Sequence, residues 1–126
     1  MSNAEDYKAS KINQWARKER LSDFVLNKAI QEIREGLVDA DLGQGILKKR
    51  VALPGRGKRK GSRALIATNL QDRWIFLYGF TKNERENVTA EELEGWQALA
   101  LDYFKLSNKQ LDLLVLKGEL LEVLYD

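Results

Sequence analysis

The stretch from Arg73 to Phe80 constrains the fold more than any other part of the chain. In it Trp74, Phe76, Tyr78 and Phe80 alternate with Ile75, Leu77 and Gly79, so a strand over these residues carries apolar side chains on both faces. A strand with one face in water needs polar residues at alternate positions. This one therefore predicts the centre of a sheet covered on both sides. Arg63 to Asn69 reads as a neighbouring strand, joined to it through a turn at Leu70 to Asp72, and Ile46 to Leu53 reads as a third. Between these two lies Pro54 to Gly61, whose three glycines and one proline weaken pairing and predict a flexible hairpin loop.

Helical patterns flank this central block. Ser10 is placed to cap a short helix with Ile12, Trp15 and Ala16 on one face, closing at Arg17 to Arg20. Ser22 caps a second, with Leu21 and Leu26 in the staple relation, a stripe of Leu26, Ile30, Ile33 and Leu37, and Gly36 as the stop. The two form a helix hairpin, and Val38 to Gly45 reads as a loop by its Asp and Gly content. Thr89 with Glu92, and Ser107 with Gln110, are capping boxes that open two further helices. Leu120 to Leu124 is either a short edge strand or a packed tail. The order of helices, strands and helices predicts an α+β fold, with an N-terminal helix hairpin and C-terminal helices packed on a small, meandering antiparallel sheet. One domain over residues 1–126 is expected, with 107–126 as a C-terminal extension that either packs over the sheet or presents a partner surface.

Absences narrow the chemistry. Of 126 residues none is Cys or His, which excludes disulfides, Cys/His zinc sites, cysteine nucleophiles and imidazole bases. Neither a cofactor nor a metal site is expected, and catalysis would have to use Lys, Arg, Tyr, carboxylates or hydroxyls. No signal-like segment and no run of eighteen apolar residues occurs, so a cytoplasmic protein without membrane association is expected.

The charges are unevenly placed. Residues 42–71 hold eight basic side chains (Lys48, Lys49, Arg50, Arg56, Lys58, Arg59, Lys60 and Arg63) and no acidic one, whereas 72–126 hold six basic and eleven acidic. Such a concentration on a chain of net charge +2 is the footprint of a surface for a phosphate backbone or an acidic partner.

Lys48-Lys49-Arg50-Val51, the basic Gly-rich stretch, Gly61-Ser62-Arg63 and Tyr78-Gly79-Phe80-Thr81-Lys82-Asn83-Glu84, taken in order, resemble the RelE/ParE superfamily of type II toxin–antitoxin toxins. The RelE-like and HigB-like branches are nearest, and the likeness spans about residues 7 to 106. The resemblance implies a toxin that enters the ribosome and cuts messenger RNA there without metal, an mRNA interferase. Its partners would be the ribosome, mRNA and a cognate antitoxin, expected to be of helix-turn-helix type. A ParE-like gyrase inhibitor, or a degenerate interaction protein of the same fold, is the alternative.

Cleavage through the ribose 2′-hydroxyl requires a base, a stabiliser of the charged phosphorane and a proton donor to the leaving oxygen. Arg63, Arg73 and Lys82 are the candidate phosphate stabilisers, and Lys58 adds a further cation. Tyr78 or a lysine of lowered pKa is the candidate proton carrier, and Glu84 is another group able to take a proton. Lys48, Arg50, Arg56, Lys58, Arg59 and Lys60 are the candidate RNA-binding residues. Tyr78 also sits in an aromatic alternation that suits a core, the residues from Lys82 to Arg85 suit a solvated turn, and Trp15, Trp74 and Trp96 suit the core. Free Tyr and Lys side chains, with pKa values of about 10, are slow bases at neutral pH, which makes activity dependent on the ribosome.

Overall fold

The computed structural model describes residues 6–53 and 57–124, and the side chains among them except those of 53–61. Arg56 and the side chains of Lys58, Arg59 and Lys60 therefore lie outside the described residues. Ten elements follow in order: β1 Asp6–Ala9, α1 Ser10–Lys18, α2 Asp23–Arg34, β2 Ala40–Gly43, β3 Ile46–Leu53, β4 Gly57–Thr68, β5 Trp74–Thr81, α3 Ala90–Lys105, α4 Asn108–Leu116 and β6 Leu120–Glu122. The strands form one sheet in the order β2-β3-β4-β5-β1-β6. The fold is α+β, with two helices from each end of the chain.

The doubly apolar β5 lies inside the sheet, between β4 and β1. On one face Ile12, Ala16, Leu26, Ile30 and Ile33 of the N-terminal helices pack on Leu47, Ala64, Ile66, Trp74 and Phe76. On the other, Ala100 of α3 and Leu111 of α4 join Tyr7, Ile46, Leu65, Ile75 and Leu77. Helices thus cover both faces, as a strand with no polar side requires.

Several expectations are corrected. The sheet is not a simple antiparallel meander, because β1 inserts parallel to β5 with Tyr7 opposite Ile75, while β6 pairs antiparallel with β1. Asp6-Tyr7-Lys8-Ala9 alternates polar and apolar residues over four positions only, and its two charged residues read as an exposed segment rather than an inner strand. Its buried Lys8 is tolerated because Nζ pairs with Asp23 Oδ1 at 2.8 Å. Ala40–Gly43, expected in a loop, is an edge strand on β3. Gly57 to Gly61, expected in the hairpin loop, belongs to β4, whose pairing with β3 runs out to Leu53 opposite Gly57. Ser10 is the first residue of α1 rather than its cap; Ala9 holds that position without a side-chain hydrogen bond. Leu37 lies beyond α2 and is exposed, and Ala29 completes the buried stripe instead.

Other local signals are realised. Ser22 accepts from Val25 N at 3.3 Å, Gly36 stops the chain after α2 with φ of +94°, and both capping boxes form. Of the two readings of the C-terminal stretch, the edge strand is the one formed.

The alternation along β5 is broken by one extra residue. Leu65 lies opposite Tyr78 but Ile66 opposite Phe76, so Leu77 is a bulge. The slip moves Tyr78 to the face of Ile75 and Leu77, away from Trp74 and Phe76. It also turns Gly79 toward α1, where a Cβ would come within 2.3 Å of the Trp15 ring. Gly79→Ala is therefore expected to destabilise the fold by about 1–3 kcal/mol through overpacking. Urea denaturation measures it, and unchanged stability would show that the indole has room to retreat.

Candidate nucleic-acid interface

Strand register decides which charged residues meet. Arg50 stands opposite Arg63, Arg63 opposite Phe80, and Ser62 opposite Thr81, with Lys82 next along the chain. Lys48 stands opposite Leu65, and Leu65 opposite Tyr78. The central strands therefore gather Lys48, Arg50, Arg63, Tyr78 and Lys82 toward one end of the sheet. Arg63 is held there firmly, only 8% exposed. Arg50 is half in water and bridges Asp39 at 3.5 Å. Lys82 is exposed in the turn after β5, and in the same turn Thr81 Oγ1 donates to Glu84 Oε1 at 3.0 Å.

Arg73 is not part of this group. It precedes Trp74, six residues along β5 from Phe80, which is about 20 Å at the rise of a strand. Its guanidinium is occupied there, donating to the Tyr103 carbonyl at 2.6 Å and to Asn108 Oδ1 at 3.3 Å, and so ties the sheet to the junction of α3 and α4. Lys49 is likewise internal. It lies on the α2 side, 3% exposed, with Nζ 2.9 Å from Glu32 Oε1. One of the eight basic side chains of the segment thus faces no partner from outside.

The tyrosine has a setting that spacing alone does not reveal. Its ring stacks on Phe80 and Trp96, with centroids 5.9 and 5.5 Å away. Its hydroxyl accepts a hydrogen bond from Arg85 Nη1 at 3.3 Å. Arg85, which reads from sequence as a solvated turn residue, is clamped by Glu92 through bonds of 2.9 and 2.5 Å and donates from Nε to the Asn87 carbonyl at 2.8 Å. The legible half of this signal is the capping box: a Glu that must reach back to Thr89 N, here at 2.8 Å, holds a fixed carboxylate beside any preceding cation. With its acceptor side taken by a guanidinium, the Tyr78 hydroxyl is left to donate.

The Arg85 hydrogen bonds hold the Glu92 carboxyl down at about 2, below its ordinary value of 4.5, and the Arg85 guanidinium is shifted further up. A depressed folded pKa gives stability that is present above the ordinary carboxylate value and is lost as pH falls through the folded one. Between about pH 4.5 and 2 the wild type is therefore expected to lose stability more steeply than Glu92→Gln. Chemical denaturation across that window measures the slopes, and parallel curves would mean the clamp contributes nothing to folding.

Among the described residues no three Cys, His, Asp or Glu side chains converge as a metal site would need, and no helix is long and apolar enough to cross a membrane. Compared with known families, residues 5–123 match the model described as the RelE toxin of the RelE/RelB toxin–antitoxin system. A search of curated proteins returns no match.

Proposed function

Because the chain belongs to the RelE toxin family, as the toxin of a toxin–antitoxin system, we propose that it is a ribosome-dependent endoribonuclease that cuts mRNA without a metal ion. The observation that carries this reading is the register placing Arg63 on a rigid inner strand at the same end of the sheet as Tyr78 and Lys82. In the reaction the 2′-hydroxyl gives its proton to a base, for which the exposed Glu84 carboxylate in the same turn as Lys82 is the candidate, and its oxygen attacks the adjacent phosphorus to give a pentacoordinate phosphorane. Expulsion of the 5′-oxygen then leaves a cyclic phosphate and a free hydroxyl. Arg63 stabilises the phosphorane charge, since a buried guanidinium on a strand needs no reordering when that charge develops. Lys82 holds a neighbouring phosphate from the turn, and the Tyr78 hydroxyl, oriented by Arg85, gives its proton to the leaving oxygen. Lys48, Arg50, Arg56, Lys58, Arg59 and Lys60 attract ribosomal and messenger RNA in a salt-dependent way. Arg73 has no part in the chemistry, because Tyr103 and Asn108 already occupy it.

The partner of this toxin is a cognate antitoxin, of helix-turn-helix type in this reading, and the neighbouring reading frame would reveal it. Induced expression followed by primer extension on a translated reporter tests the activity. Breaks within translated codons are the expected result. Intact transcripts with arrested replication would move the function to gyrase inhibition, and undisturbed growth would leave an interaction protein.

A further inference from the structure

β1 runs beside β5 only as far as Lys8 opposite Phe76, and the chain then turns into α1. Among the described residues, the end of β5 from Leu77 onward has no strand on that edge. The space beside it is a cleft of about 300 Å³, walled by Lys11 and Trp15 of α1 and Trp96 of α3, with Leu77, Tyr78 and Gly79 along its floor. Three observations define what would fit. The lining includes three aromatic rings, from Trp15, Tyr78 and Trp96, the last two stacked on each other. Gly79 has no side chain, which lets the Trp15 ring lie directly against the strand where a Cβ would strike it, and so fixes that wall of the cleft. Lys11, exposed at the first turn of α1, places a single cation at the rim.

From this we infer that the cleft binds one nucleobase of the RNA, inserted between aromatic rings with its phosphate on Lys11. Its volume is at the small end of ligand sites, which suits one base rather than a peptide or an acyl chain. Base–aromatic stacking tolerates any sequence, because every base has a π-face. The inference rests on the ribonuclease reading for its ligand, and it adds to that reading a seat for a base beside the residues proposed to act. Tyr78 connects the two, its ring lining the cleft and its hydroxyl held by Arg85.

The three tryptophans make the test site-specific. Trp15 and Trp96 line the cleft, whereas Trp74 is 1% exposed in the core. Titrating the ¹⁵N-labelled protein with adenosine or uridine 5′-monophosphate should shift the indole N–H signals of Trp15 and Trp96 saturably and leave Trp74 in place, while ribose 5-phosphate should move none of them. Trp96→Leu should weaken binding about tenfold, as read on Trp15. The surface change Lys11→Glu, which leaves the packing untouched, should weaken it by a smaller factor. Silent indoles, an equal response to ribose 5-phosphate, or both variants binding like the wild type would overturn the inference. Primer extension on the same proteins separates the two readings. Nucleotides seated in a chain that cuts no transcript would remove the nuclease and keep the cleft, and a cutting chain with silent indoles would remove the cleft alone.

Discussion

Arg63→Ala is expected to reduce single-turnover cleavage on the ribosome by about 100- to 1000-fold while leaving ribosome pelleting close to wild type. The magnitude is that of losing one pre-organised electrostatic donor, about 2.7–4 kcal/mol in the transition state. Exposure sets the contrast with Arg50. Arg63 is 8% exposed on an inner strand, whereas the Arg50 side chain is 51% exposed and makes only a 3.5 Å bridge to Asp39. Arg50→Ala should therefore weaken binding modestly, lower its salt dependence by about one unit of slope, and leave the cleavage step nearly intact. Because Arg63 is buried, its loss also disturbs packing. Arg63→Lys, which keeps the charge and loses the planar fork, is the companion variant, and it should fold and still cut poorly. If Arg63→Ala and Arg50→Ala affected binding and cleavage in the same proportion, the residues would form one undifferentiated patch and Arg63 would have no catalytic role.

The largest stability effect is expected at Lys49. Its ammonium is enclosed between β3 and α2 with Glu32, whose side chain is 16% exposed. Removing one partner of a buried pair leaves the other charge without compensation, which typically costs about 3–5 kcal/mol. Glu32→Gln should come near the lower end, about 3 kcal/mol, since an amide oxygen still accepts one hydrogen bond. Replacing both partners together, Glu32→Leu with Lys49→Met, should recover most of that loss. Urea titrations of Glu32→Leu, Lys49→Met and the double variant close the cycle, and a Glu32→Gln protein of wild-type stability would mean that Lys49 escapes to water. The same variants bear on function, because RNA affinity should be insensitive to Lys49→Met if this lysine does not face the nucleic acid.

Much of the fold was legible because its determinants are local. A doubly apolar strand states its own burial, and Ser22, Thr89 with Glu92, and Ser107 with Gln110 start helices through bonds to backbone groups three residues away. The basic segment was legible as well, since net charge survives any arrangement of the chain. The family resemblance drew on the same stretches, and the family match over residues 5–123 supports it.

What the chain alone determined, then, is the class of fold, the position of its central strand and the location of its positive charge, because each rests on contacts within a few residues or on composition. Tertiary structure decided the rest. Only packing placed Asp6–Ala9 between β5 and β6, since the partners of β1 lie in distant segments and a four-residue alternation of charged and apolar residues suits a surface segment as well as an inner strand. Only pairing with β4 showed that Leu77 is an extra residue, and that one-residue slip put Tyr78 on the opposite face from Trp74 and opened Gly79 to Trp15. Charges that look alike in sequence were divided by the same means: Lys49 went inward to Glu32, Arg73 to the Tyr103 carbonyl, and Arg85 to Glu92 and Tyr78, while Arg50 and Lys82 stayed in water. A charged side chain takes its role from the group it meets across the fold, and the spacing of residues along the chain carries no record of that meeting.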